Sequence, residues 1–257
     1  MSDPRHAELG NFLRSRRERL TPQAVGLATG RRRRTAGLRR EEVADLAGIG
    51  VDWYIRLEQG RAVKPSSATI DALARALRLN RTEHAHLKAL ASNPLRKPFV
   101  REQVPAGLRE LVQSLNQPAY ISGRRWDVLA WNAAADEIVG FSQLADDERN
   151  TLLLMLCVPG VRRLFGAQWK ELAKRMVAQF RATYDLWAGD PAFLDLIARL
   201  RRGSREFEEL WAAHDINGPV AGEKLLEHPK KGRVRLRYAT FQANDDPALK
   251  LAIYYTI

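Results

Sequence analysis

A single cysteine, Cys157, stands in a chain of 257 residues. That excludes an internal disulfide framework and a cysteine-built zinc site within one chain. No apolar run reaches the roughly 18 residues that cross a bilayer. The opening MSDPRHAELG lacks the apolar centre of a signal peptide. A cytoplasmic protein with no membrane partner is the expectation. No glycine-rich phosphate loop precedes a helix, and no motif marks a Ser, Cys or Lys nucleophile. No enzyme activity, catalytic residue, metal or cofactor is therefore expected. Histidine is scarce too, at five. His84 and His86 lie two apart on a predicted helix and point to different faces, so they read as surface residues. His214-Asp215 reads as half of a dyad, as a carboxylate binder, or as a helix C-terminal cap; the cap is the plainer reading.

What is abundant is positive charge. The formal net charge is +12, and residues 1–95 carry 18 Lys/Arg against 10 Asp/Glu. Residues 96–257 carry 24 against 20. A basic N-terminal part joined to a nearly balanced remainder is the footprint of a nucleic-acid-binding unit attached to something else. With 45% hydrophobic residues, the chain can build two modest cores.

The basic part is organised around Leu38 to Leu79. Its spacing predicts a helix over 40–47, a turn at Gly48-Ile49-Gly50, a second helix over 51–59 and a third from Ser66 or Ser67. Val43, Leu46 and Ala47 share a face, as do Tyr54 and Leu57. Ile70, Leu73, Ala74 and Leu77 follow the i, i+3, i+4, i+7 rule. Ala44 suits a tight helix crossing, and Gly48 suits a left-handed C-terminal cap. A short glycine turn between two helices is the helix-turn-helix pattern, whose second helix enters the major groove. A further helix over 6–19 carries Leu9, Phe12 and Leu13. Gly30 to Gly37 brackets Arg31, Arg32, Arg33 and Arg34, a run that is either solvated or placed on phosphate.

The stretch GIGVDWYIRLEQGR, followed by a proline-led helix, resembles the Cro/phage-repressor-like helix-turn-helix family over residues 6–91. That resemblance implies that Val51, Asp52, Trp53, Ile55 and Arg56 face base edges and phosphates, with Arg31–Arg34, Arg39 and Arg40 beside them. Gly50 stands where the family usually has a serine, and its usual glutamines are absent. Glu58 and Arg17 match an intradomain ion pair. A double-stranded operator bound by a homodimer is implied.

Residues 93–105, with Pro94, Pro98 and Pro105, read as a linker. Beyond it come a helix over 106–115, strands at 119–122 and 125–131, and a helix over 133–139 capped by Asn132 and Gly140. An apolar helix over 147–157 precedes a long amphipathic one over 168–187, and two shorter helices follow. Three final strands, near 218–227, 233–238 and 249–257, complete about five antiparallel strands. On the last of these Leu249, Leu251, Ile253, Tyr255 and Ile257 form the apolar alternation. The pieces RWDVLAWNAAADEI, EFEELWAAHDI and LLEHPKKGRVRLRYATF resemble the ligand-binding domain of MmyB-like regulators. The resemblance implies a PAS-like fold, a transcriptional regulator and a small apolar ligand of the fatty-acid class. The fold class expected is α+β in two domains, an all-α helix-turn-helix bundle over 1–92 and a PAS-like antiparallel sheet with helices over 106–257.

Candidate cavity residues are Tyr120, Trp126, Leu129, Trp131, Met176, Phe180, Tyr184, Tyr238 and Tyr255, although for each one taken singly core packing is the plainer reading. Two other readings stay open. The C-terminal domain serves only dimerisation or protein recruitment, or it is an enzyme with a nucleic-acid anchor.

Overall fold

The structure is a computed structural model, described here for residues 4–28, 35, 37–92, 98–218, 222–228 and 232–256. Its N-terminal unit holds α1 (Pro4–Arg19), α2 (Arg40–Ala47), α3 (Val51–Glu58), α4 (Ser67–Ala76) and α5 (Arg81–Ala91). Leu9, Phe12, Leu13, Leu38, Val43, Tyr54, Leu57, Ile70, Leu73 and Leu87 form one buried core. Gly48 ends α2 at φ 64, a conformation cheap only without a Cβ. At Gly10 a Cβ would lie 2.4 Å from the Glu58 carbonyl oxygen, so glycine lets α1 cross the end of α3. Ala44 is fully buried at the expected crossing. Leu46 departs from expectation: it is 38% exposed, because α2 turns Val43 and Ala44 inward instead.

The C-terminal half holds α6 (Ala106–Ser114), β1 (Ala119–Ser122), β2 (Val128–Trp131), α7 (Ala133–Val139) and α8 (Thr151–Cys157). Then come α9 (Pro159–Phe165), α10 (Trp169–Tyr184), α11 (Pro191–Gly203) and α12 (Arg205–Ala212). The strands β3 (Gly222–His228), β4 (Gly232–Gln242) and β5 (Lys250–Thr256) complete the described elements. All five strands form one antiparallel sheet in the order β2-β1-β5-β4-β3. The α+β class is as read from the sequence, although α9 was not foreseen. Buried Asn132 ties three elements together: its Oδ1 accepts from the backbone N–H groups of Ala119 and Ala135, and its Nδ2 donates to the carbonyls of Leu115 and Gln117. The described part of the expected linker, 98–105, is extended and fastened to the C-terminal half. Phe99 sits edge-on to Trp187 and Phe193, and its N–H donates to Asp190 at 2.7 Å.

The sheet has two covered faces. Val112 and Leu115 of the α6 segment pack with Ala119, Ile121, Ala130, Leu251 and Ile253. On the opposite face Tyr120 and Trp131 pack with Phe141 and Leu154, and Leu226 and Leu236 pack with Leu164. A separate helical core gathers Trp169, Leu172, Phe180, Tyr184, Phe193, Leu196, Phe207 and Trp211.

The two halves touch. Ile216 belongs to the N-terminal core, and Ala182 and Leu186 pack against it. Arg16 donates to the His214 carbonyl at 3.0 Å, Arg19 pairs with Asp215 at 2.6 Å, and His86 meets Asp185 at 3.0 Å. His86 is thus 5% exposed and not the surface residue expected. A helix that is solvated in isolation becomes an interface helix here. The cap reading of His214 holds for its backbone, whose N–H donates to the Trp211 carbonyl at 3.3 Å, but not for a charged imidazole at the helix end. The residue lies past α12 at φ 50, and burial, with Arg181 and Arg16 nearby, brings its pKa down to about 4, so the imidazole is neutral. No helix among the described residues is long and apolar enough to cross a membrane.

Candidate functional site

Two sites take shape. On the first, α3 buries Tyr54, Leu57 and Glu58 and turns Asp52 and Arg56 outward. Residues i, i+3, i+4 and i+7 share a helix face. Half-buried Ile55 and exposed Gln59 therefore extend the Asp52/Arg56 face. Gln59 was not among the expected contacts; the same spacing from Asp52 could have found it. Val51 and Trp53 are half-buried and pack against the core, so the indole serves the fold at least as much as a partner.

Glu58 is the pin beneath this face. Burial alone would raise its carboxyl pKa, but hydrogen bonds and charge from Arg17, then Arg40, turn the net shift downward. Arg17 Nε and Nη2 donate to it at 2.6 and 2.9 Å. The expected Arg17–Glu58 pair is present, and Arg40 joins it, with Nη2 2.8 Å from Oε1. Arg40 is thus held by Glu58, with 42% of its side chain still exposed. Arg39 is exposed, and its backbone N–H donates to Glu42 at the start of α2. Arg31, Arg32, Arg33 and Arg34 lie outside the described residues.

The second site is a cavity of about 90 Å³ between the sheet and helices α7 to α10. Its walls are Ala135, Ile138, Val139, Leu154, Met155, Val161, Leu164, Phe165 and Met176 on the helical side. Tyr120, Lys224, Leu226, Leu236 and Tyr254 face them from the sheet. The polar atoms gather at one place. Lys224 Nζ donates to the Tyr254 hydroxyl at 3.0 Å, and that hydroxyl lies 3.3 Å from the one on Tyr120. The ammonium also sits 4.9 Å from the ring centres of Tyr238 and Tyr254. No carboxylate among the described residues forms an ion pair with Lys224. Burial pushes the Tyr254 phenol up to about 12 and Tyr120 well above its ordinary value, so both stay protonated donors.

Of the nine expected cavity residues, Tyr120 and Met176 line this space, and Tyr238 stands beside it against Lys224 and Tyr254. Trp131 backs the wall through Phe141, ring to ring at 5.6 Å. Trp126, Phe180 and Tyr184 do not belong: they pack in the helical core, where Trp126 meets Phe180 edge-on at 5.6 Å. Leu129 is on the α6 face, because a bulge pairs Ile121 with Ala130 and Ser122 with Val128, leaving Leu129 extra and breaking the alternation. Tyr255 is 40% exposed on the other face, because β5 presents Ala252 and Tyr254 inward. Its odd-numbered residues look like an inner face only because α6 covers them as well. Lys224 and Tyr254 were missed. No spacing rule singles out a lone lysine in a strand, but a tyrosine beside Tyr255 was open to the opposite register.

Residues 104–256 match the family model described as the MmyB-like transcription regulator ligand binding domain. Residues 8–87 match a model described as a helix-turn-helix domain. No curated protein matches the chain.

Proposed function

From the premise that the chain belongs to the MmyB-like transcription regulators, with a helix-turn-helix DNA-binding domain and a ligand-binding domain, we propose that its ligand is a fatty acid held in the cavity. We take residues 1–92 as the DNA-binding domain, 93–105 as the connection and 106–257 as a PAS-like ligand-binding domain. The observation that carries the ligand reading is the cluster of Lys224, Tyr254 and Tyr120 at one end of an otherwise apolar space. One cation and two phenol donors suit a carboxylate. The aliphatic walls suit its tail, at ~0.8 kcal/mol per buried methylene. Part of that gain offsets immobilisation and desolvation of the head group.

Calorimetry with dodecanoate and dodecanol tests the reading. Lys224→Met lowers dodecanoate affinity by about tenfold or more, the usual worth of a hydrogen bond to a charged group, and leaves dodecanol unchanged. Equal losses for both remove the carboxylate seat.

On the DNA side, the face of Asp52, Ile55, Arg56 and Gln59 is proposed to read base edges, with a homodimer spanning two half-sites about 10 bp apart or a multiple of that. Arg56→Ala reduces discrimination between operator variants by about 1–3 kcal/mol. Replacing Arg31–Arg34 with alanine weakens all sequences alike and lowers the salt slope by roughly 0.9 per lost phosphate contact. Quantitative footprinting at several salt concentrations reads both. A footprint on one half-site at monomer stoichiometry overturns the dimer.

A second reading, a C-terminal domain that recruits a protein partner, draws on Phe241, 56% exposed on the outer sheet face. Failure of every acid and alcohol to bind would favour it.

A further inference from the structure

Helix α10 belongs to two places at once. Met176, near its middle, forms part of the cavity wall. Its last turn and the residues just after it carry part of the docking to the N-terminal unit, the rest falling on residues 214–216. Arg181 Nη1 lies 4.0 Å from Glu8 of α1, and Asp185 lies 3.0 Å from His86 of α5. From Met176 to Asp185 is nine residues, about 13 Å of continuous helical backbone. The other helical walls, α7, α8 and α9, make none of the described docking contacts. We propose that α10 couples the two domains, so that filling the cavity with a long acyl chain and docking of the helix-turn-helix domain oppose each other.

The size of the cavity gives the sign. At about 90 Å³ it holds on the order of six waters, and a methylene occupies about the room of a water. A hexanoate-length tail enters the space as built. A chain twice that length exceeds the space and, where it is kept inside instead of leaving by the open side, requires a wall to yield. Met176 is the wall residue on α10, and its thioether side chain adapts first. Once its freedom is used up, the helix behind it must shift. Packed helices move as rigid bodies between discrete arrangements, so the shift reaches Arg181 and Asp185.

The docking contacts are suited to release. They include ionic groups that are imperfectly satisfied: Asp185 Oδ1 is buried without a hydrogen bond, with Arg181 Nη1 3.6 Å away. Burial and the neighbouring Asp185 raise the Glu8 pKa to about 7. All of these groups recover full solvation when the domains part, so the docked state holds only a modest advantage. A ligand with a modest preference for the wide cavity then shifts the balance. On the N-terminal side the named docking contacts fall on α1 and α5, not on α3. Release therefore alters how the DNA-reading face is carried without touching that face.

The inference rests on the fatty-acid reading, and the test separates the two. Tetradecanoate and hexanoate are titrated into the full chain, wild type, His86→Ala and Arg19→Ala, the second removing the pair with Asp215. Both substitutions weaken docking from the N-terminal side and leave the cavity intact. The expected result is tetradecanoate binding about fivefold tighter in each variant, the low end of ordinary coupling, with hexanoate unchanged. Wild-type affinity for tetradecanoate in both variants, or an equal change for the two acids, overturns the coupling. If wild type binds neither acid, the ligand reading falls. Coupling is then read on Met176→Trp, whose indole presses on the same wall. A larger radius of gyration by small-angle scattering supports the coupling, and a wild-type value overturns it.

Discussion

The stacked rings between α10, α11 and α12 and the space between the sheet and α7 to α9 are both apolar, yet only the second is hollow. In the first, Phe180 and Phe193 stack at 6.1 Å, Trp187 and Phe193 at 5.6 Å, and Phe207 and Trp211 at 5.2 Å. Long helices supply a ring at each turn, and planar rings close the gaps between helices. The hollow region is bounded by α7, α8 and α9, each seven residues long. Two turns of helix bring one layer of Ala, Val and Leu side chains to the sheet and no second layer. Met155, Phe165 and Met176 border both regions, so one layer of side chains separates filled from empty. The void follows from how short elements meet a sheet, not from a more apolar composition.

The contrast breaks most clearly through deletion against addition. Phe193→Ala, at a fully buried ring, should cost about 3–5 kcal/mol, read from urea midpoints. Val161→Phe adds a ring where the cavity has room for it. In a filled core such overpacking costs roughly 1–3 kcal/mol; here the expected loss stays under about 1 kcal/mol, while tetradecanoate binding disappears. A cost comparable to that of Phe193→Ala would mean that no usable space exists beside Val161.

The same contrast explains what the sequence could and could not disclose. Periodicity located the helices of the DNA-binding domain and the long α10, because each buries one continuous stripe. Local spacing also found the cap at Asn132, and the resemblance to the helix-turn-helix family supplied the ion pair of Arg17 with Glu58. The cavity depends on which side of a strand faces which layer. Trp126, Phe180 and Tyr184 have the composition of a pocket lining but lie in the filled core. On β5 both faces are apolar, so alternation could not choose Tyr254 over Tyr255. The bulge at Leu129 inverted a side chain with no glycine or proline to mark it. Docking was invisible for a different reason. His86, Glu8 and Asp185 are ordinary surface residue types until a distant segment covers them.

Acidity sharpens the comparison further, with a smaller effect. The phenols of the two interiors do not titrate near neutrality: burial pushes Tyr184 in the filled core and Tyr254 beside the cavity up to about 12. The pH-sensitive groups lie at the docking seam. Glu8 is held at about 7 by burial and Asp185, against the pull of Arg181, Asn11 and Arg201. In the unfolded chain it titrates near 4.5, so between 4.5 and 7 the folded protein holds a proton the unfolded chain has lost. Stability from this group is full below 4.5 and falls as pH rises to 7. His214 works in the other direction. Held at about 4 against an ordinary 6.5, it stays neutral in the fold while the unfolded chain takes up a proton, so its contribution is lost as pH falls from 6.5 to 4. Over 4.5 to 6.5 the two slopes oppose and largely cancel. Glu8→Gln removes one of them. Relative to wild type, its urea midpoint should climb as pH is raised from 4.5 to 7, and the wild-type curve should be the flatter of the two between 4.5 and 6.5. Parallel curves across that range would place Glu8 in water and leave His214 as the pH-sensitive group of the seam.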